Sequence, residues 1–150
     1  MDWNNIKELK MKKKYLIETF GCQMNKSDSE LMALSMNKHG FELTANLDDA
    51  SIVVFNTCSV RQHAEDRVLA RIQSSKDRIK KNKGLIIITG CMAQRIGEQL
   101  TSDKIADLII GPYQSPKIGD IINIFLNNKN KKIYTSQDVK DFSYRLDNRL

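Results

Sequence analysis

Residues 51–58 read Ser51-Ile-Val-Val-Phe-Asn-Thr-Cys58, and the unbroken apolar run from Ile52 to Phe55 decides the fold. A half-exposed strand alternates apolar and polar residues. A run without a polar position predicts a strand buried on both faces, as in parallel sheets covered by helices. Leu85-Ile-Ile-Ile-Thr-Gly-Cys91 repeats the pattern, and Tyr15-Leu-Ile-Glu-Thr-Phe-Gly-Cys22 is a more polar version of it. Each run leads into a cysteine. Cys22, Cys58 and Cys91 stand 36 and 33 residues apart, a strand–helix–strand unit or slightly more per step. Parallel strands recurring at that interval would bring all three thiols to one edge of one sheet. That edge, beyond the carboxyl ends of the strands, is where open α/β sheets bind ligands.

The stretches between these runs fit the same plan. Lys14–Phe20 is the first expected strand. Ser27-Asp-Ser-Glu30 suits a reciprocal capping box, so a helix is expected to start there and stop at Gly40. Its residues Leu31, Leu34 and Lys38 share one side, and Met32 and Met36 another. Phe41–Thr44 and Ser51–Phe55 are the next strands. A helix over about Val60–Lys81 would turn Val68, Ile72 and Ile79 to the core. Leu85–Thr89 is a fourth strand, Gln94–Leu100 a short helix, and Ala106–Ile110 a fifth strand closed by Gly111-Pro112. Lys117–Leu126 is an amphipathic helix with Ile118, Ile121, Ile122 and Phe125 inward. This order predicts one α/β domain over 13–127: three layers around an open, mostly parallel sheet of the Rossmann or flavodoxin-like kind. A polar leader over 1–12 and a polar linker over 128–150 flank it.

Composition sets outer limits. The chain has 150 residues, 41% hydrophobic and 28% charged, which suits one soluble domain with a real core. No apolar run approaches the roughly 18 residues of a membrane span. Met1–Lys10 lacks the apolar centre of a secretory signal. Three dispersed cysteines do not make a secreted disulfide framework, so a reducing cytoplasm is expected. The formal charge is +6, and residues 67–83 carry seven Lys/Arg against one Asp. Further basic clusters lie at Lys10, Lys12, Lys13 and Lys14, and at Lys129, Lys131 and Lys132. Such clusters suit a polyanion such as RNA, but a solvated helix face explains each as well. No glycine-rich phosphate loop is present, which argues against a dinucleotide or P-loop nucleotide site.

The cysteines suit few chemistries. Structural zinc takes four ligands, commonly in close C-x-x-C pairs, and there is no such pair. His39 and His63 are better read as an exposed helix-end residue and a helix residue than as ligands. Nucleophilic catalysis needs one activated thiol beside a base, not three at equivalent positions. Three thiolates without a fourth suit a 4Fe-4S cluster with one iron left open. The plain alternative is three buried core thiols. Gln23, Asn25, Asn56, Ser59 and Arg61 flank the cysteines and are candidate contacts to a cluster or substrate. Asn and Ser at such places also serve turns and caps.

Three motifs surround these cysteines in order: Glu18-Thr-Phe-Gly-Cys-Gln-Met-Asn25, Asn56-Thr-Cys-Ser-Val-Arg61 with Ala64-Glu65, and Gly90-Cys-Met-Ala-Gln94. Together they resemble the amino-terminal domain of the radical S-adenosylmethionine methylthiotransferases, over about residues 13–127. The resemblance implies that Cys22, Cys58 and Cys91 hold an auxiliary 4Fe-4S cluster whose open iron carries the sulfur to be inserted. It implies a transferase whose separate central domain cleaves S-adenosylmethionine on a second 4Fe-4S cluster bound through C-x-x-x-C-x-x-C. A carboxy-terminal TRAM domain then helps to hold tRNA. Gly-Cys-Gln-Met-Asn is most similar to the branch that converts N6-isopentenyladenosine beside the anticodon to its 2-methylthio derivative. This chain has no C-x-x-x-C-x-x-C. The expectation is therefore a cluster module, inactive alone, that works with its own radical and TRAM domains on the anticodon stem-loop of tRNA. The alternatives are the same domain from a branch acting on threonylcarbamoyl-adenosine or on a ribosomal protein, or a non-catalytic RNA- or protein-docking module using the basic helix.

Overall fold

The computed structural model describes residues 13–21, 23–57, 62–128 and 132–134, with the side chains of 23, 24 and 62–64 left aside. The elements follow as β1 (Lys14–Thr19), α1 (Gln23–Lys38), β2 (Glu42–Leu43), β3 (Ile52–Thr57), α2 (Gln62–Lys81), β4 (Leu85–Gly90), α3 (Cys91–Ser102), β5 (Leu108–Ile110), α4 (Ile118–Asn127) and β6 (Ile133–Tyr134). The strands form one sheet in the order β2-β1-β3-β4-β5-β6. Every pairing is parallel, so the α/β expectation holds.

Strand alternation divides the core into two layers. Val53 and Phe55 of β3, with Ile86 and Ile88 of β4, face Val68, Ile72 and Ile79 of α2 and Met92, Ala93 and Leu100 of α3. The alternate residues, Ile52, Val54 and Ile87, face Met32 and Met36 of α1 and Ile118, Ile121, Ile122 and Phe125 of α4. β3 is buried along its whole length, as its unbroken apolar run requires. On α1 the methionine side packs inward, and Leu31 and Leu34 are exposed. The outer helices meet at Gly119, whose N–H donates to Ser35 Oγ at 2.9 Å. His39 Nε2 lies 2.8 Å from Asp120 Oδ1 beside that contact.

Two helix starts differ from expectation. α1 begins at Gln23, so Ser27 to Glu30 lie inside the helix and form no capping box. Within the helix the Ser29 hydroxyl meets Thr19 Oγ1 and the Asn56 amide, which ties this turn to the sheet. α3 begins at Cys91 rather than at Gln94, and it breaks at Ile96 (φ −125°, ψ 23°). There the helix lies so close to the sheet that a Cβ on Gly97 would stand 2.7 Å from Ile109 Cγ2.

A sixth strand, Ile133–Tyr134, pairs with β5 in the stretch read as a linker. α4 packs on the face opposite α2 and α3, yet it too carries the chain outward across the sheet. The β5–α4–β6 crossover is therefore of the opposite, less common hand. Strand order reverses between β1 and β3, so the topological switch point lies at their carboxyl ends.

Candidate functional site

The register brings the cysteine-bearing runs level with one another. Thr19, Asn56 and Thr89 are partners across β1, β3 and β4, and in the next row Thr57 pairs with Gly90. Phe20 extends this pairing, its N–H donating to the Asn56 carbonyl at 2.8 Å. Apolar strands thus end in a polar shelf at the switch point. Cys91 follows Gly90 directly, opens α3, and is exposed. Cys22, Cys58, Ser59 and Arg61 lie outside the described residues, and of Gln23 only the backbone is described, at the start of α1. Among the described residues no three His, Cys, Asp or Glu side chains gather as a metal site.

Asn25 and Asn56 are brought together. Both are buried, and a buried amide must find partners inside the protein. Asn25 Nδ2 donates to Asn56 Oδ1 at 3.3 Å and to the Thr57 carbonyl at 3.1 Å. Asn56 Nδ2 donates to the Asn25 carbonyl at 2.8 Å and to Ser29 Oγ at 3.0 Å. These bonds tie the first turns of α1, just after Cys22, to the end of β3, just before Cys58. Thr57 Oγ1 donates to the Thr89 carbonyl at 2.6 Å and ties β3 to β4 in the same way.

A second connection joins α2 to α3. The Glu65 side chain is only 4% exposed, and both its oxygens are held by Arg95, from Nε at 3.1 Å and from Nη2. Sequence reading took Glu65 as part of a motif and passed over Arg95. The signal for Arg95 was its place four residues after Cys91, one turn on along the same helical side.

Three cations of the basic helix pair with carboxylates of the chain. Arg71 forks onto Glu18, with contacts from 2.6 to 3.2 Å. Arg78 forks onto Asp48 at 2.9 Å, and Lys80 Nζ lies 2.5 Å from Asp107. The Arg78 guanidinium holds the Asp48 carboxyl below the usual carboxylate range, and Glu18 raises Arg71 above its ordinary value.

The edge fits a thiolate-bound group in its donor chemistry and its backbone. Cys91 offers an accessible thiol, the donor such clusters require. Gly90 has φ 97°, and a Cβ there would collide with the Thr57 carbonyl oxygen. Only glycine lets β4 turn directly into a helix that starts on Cys91. The Thr89 hydroxyl beside it is buried without a hydrogen-bond partner among the described residues.

Residues 14–111, from β1 to just past β5, match the family described as Uncharacterized protein family UPF0004. The chain belongs to this family. UPF0004 is the amino-terminal methylthiotransferase domain that the three motifs resemble. The chain is similar to the tRNA-2-methylthio-N(6)-dimethylallyladenosine synthase of Karelsulcia muelleri strain GWSS, 42% identical over 127 residues, 84% of this chain and 28% of that protein. The synthase of the same name from Parabacteroides distasonis is 36% identical over 133 residues, 86% of this chain and 29% of that protein. That from Clostridium botulinum strain Eklund 17B is 41% identical over 124 residues, 80% of this chain and 27% of that protein. The UPF0004 chain thus spans less than a third of the length of these relatives. No helix among its described residues is long and apolar enough to cross a membrane.

Proposed function

We propose that residues 13–127 are the auxiliary-cluster, sulfur-donating domain of a cytoplasmic tRNA methylthiotransferase that acts on N6-dimethylallyladenosine (isopentenyladenosine) beside the anticodon. The observation that carries the reading is the register of Thr57 with Gly90 at the carboxyl ends of β3 and β4. Cys58 and Cys91 are the next residues along these paired strands. Consecutive Cα atoms are about 3.8 Å apart and neighbouring strands about 4.8 Å apart, so in this reading the residues that follow Thr57 and Gly90 are near enough to share one cluster. Cys22 follows β1 on the other side of β3, across the Asn25–Asn56 connection.

In this reading Cys22, Cys58 and Cys91 ligate a 4Fe-4S cluster, which supplies an iron free of protein thiolate and open to an exchangeable sulfur ligand. The protein's own part is placement. The buried amides hold the α1 turn against β3, and Gly90 clears the backbone for Cys91; Gln23, Ser59 and Arg61 are proposed contacts of the cluster or substrate. S-adenosylmethionine and the second cluster need further thiolates, which these three cysteines do not provide. In this reading they belong to a separate radical domain, which with a TRAM domain completes the enzyme that acts on tRNA.

A docking module on the basic helix is the weaker reading, because Arg71, Arg78 and Lys80 already pair with carboxylates of the same chain. The test is a chimaera in which residues 13–127 replace the matching stretch of one of the synthases, in a host lacking that enzyme. Mass spectrometry of its tRNA should show the 2-methylthio nucleoside, and Cys58→Ala should abolish it. A well-expressed chimaera that yields no product, or a Cys58→Ala variant that keeps the product, would overturn the assignment.

A further inference from the structure

The ion pair between Glu65 and Arg95 lies outside every role given above. Glu65 sits in the first turn of α2, and Arg95 ends the first turn of α3. α3 starts on Cys91 itself, α2 starts four residues after Cys58, and the two helices follow adjacent strands of the sheet. The carboxylate is almost wholly buried, and the guanidinium covers it as a fork. A forked pair fixes angle as well as distance, which a lone ammonium cannot do. Directly after Arg95 the helix breaks at Ile96, so the opening turn that carries Cys91 is a separate short piece. Lacking a continuous helix behind it, that piece is held from the side by Arg95.

We propose that Glu65 and Arg95 are positioning residues for the thiolate site. Their forked pair fixes the opening turn of α3, which carries Cys91, against the first turn of α2, and so holds the Cys91 thiol in place for the cluster. The proposal rests on the cluster reading above and adds two residues to it.

The test compares the full chain with Glu65→Gln, Arg95→Gln and Arg95→Lys after anaerobic reconstitution. Two quantities are read: the rate of iron release to a chelator, and the unfolding midpoint of the metal-free protein. Groups that orient metal ligands typically change affinity by about tenfold or more when replaced. Glu65→Gln and Arg95→Gln should therefore release iron about tenfold faster than wild type. Arg95→Lys, which keeps the charge and loses the fork, should fall between. The metal-free variants should still unfold cooperatively. If one variant does not fold, the other two carry the comparison. Release rates equal to wild type in folded variants would overturn this inference alone. Failure of the wild type to bind iron would overturn the cluster reading, and this inference with it.

Discussion

At the scale of single residues, the site is held by groups whose backbone or burial leaves little choice. Gly90 has a φ of 97° and stands against the Thr57 carbonyl, so Gly90→Ala pairs a disfavoured backbone with a collision. It should cost about 2–3 kcal/mol in urea unfolding, because each such strain is worth of order 1–3 kcal/mol. Asn56 is 1% exposed and bonds to two partners on α1. Asn56→Ala leaves the Asn25 amide without one acceptor and should cost about 1–3 kcal/mol by the same measurement. Both would fail if the variants unfolded at the wild-type urea midpoint. Gly90 and Cys91 at the end of β4 were legible in the sequence, because an apolar run that closes on Gly-Cys marks them. The partnership of Asn25 with Asn56 was not, since each amide alone reads equally well as a cap or a contact. Only the parallel register of β1 with β3 brings them together.

At the scale of elements, periodicity identified strands and helices well where one face is plainly apolar. Val68, Ile72 and Ile79 on α2, and Ile118, Ile121, Ile122 and Phe125 on α4, are all buried. The starts of α1 and α3 were misjudged because tertiary contacts decide them. Ser29 bonds across to the sheet, and Gly90 lets α3 begin without a loop. β6 was missed because two residues carry no period and its crossover has the minority hand. Contacts between elements give two expectations. A Cβ on Gly119 would stand 2.5 Å from the Ser35 carbonyl, so Gly119→Ala should push α4 off α1 and cost about 1–3 kcal/mol as overpacking. Thermal unfolding checks it, and an unchanged midpoint would count against the close α1–α4 packing. The second concerns Asp48, which Arg78 of α2 holds below its ordinary pKa. A depressed folded-state pKa contributes stability above the unfolded pKa and loses it as pH falls through the folded one. The difference in melting temperature between wild type and Asp48→Asn should therefore be present at neutral pH and close below about pH 4. It should also shrink at high salt, because the pair is exposed. A gap that persists in acid would contradict the assignment.

At the scale of the whole molecule, two apolar layers hold the sheet, and Cys91 sits at its carboxyl edge. The architecture was legible because the runs before Cys58 and Cys91 are apolar on both faces, which only a covered parallel sheet satisfies. How the cysteine segments are held together was not, because that depends on the polar shelf of Thr19, Asn56 and Thr89 and on the Glu65–Arg95 pair. Removal of metal should leave the sheet folded, unlike small zinc modules that unfold without their ion. Circular dichroism after chelation should show a cooperative transition, and its loss would mean that the cluster, not the core, carries the fold. The central claim is that Cys22, Cys58 and Cys91 converge on one cluster. Iron and sulfide counted per chain after anaerobic reconstitution test it most directly. About four of each are expected in the wild type, and a small fraction of that after Cys22→Ala, Cys58→Ala or Cys91→Ala. A wild type that keeps no iron, or a Cys58→Ala chain that keeps all of it, would contradict the account.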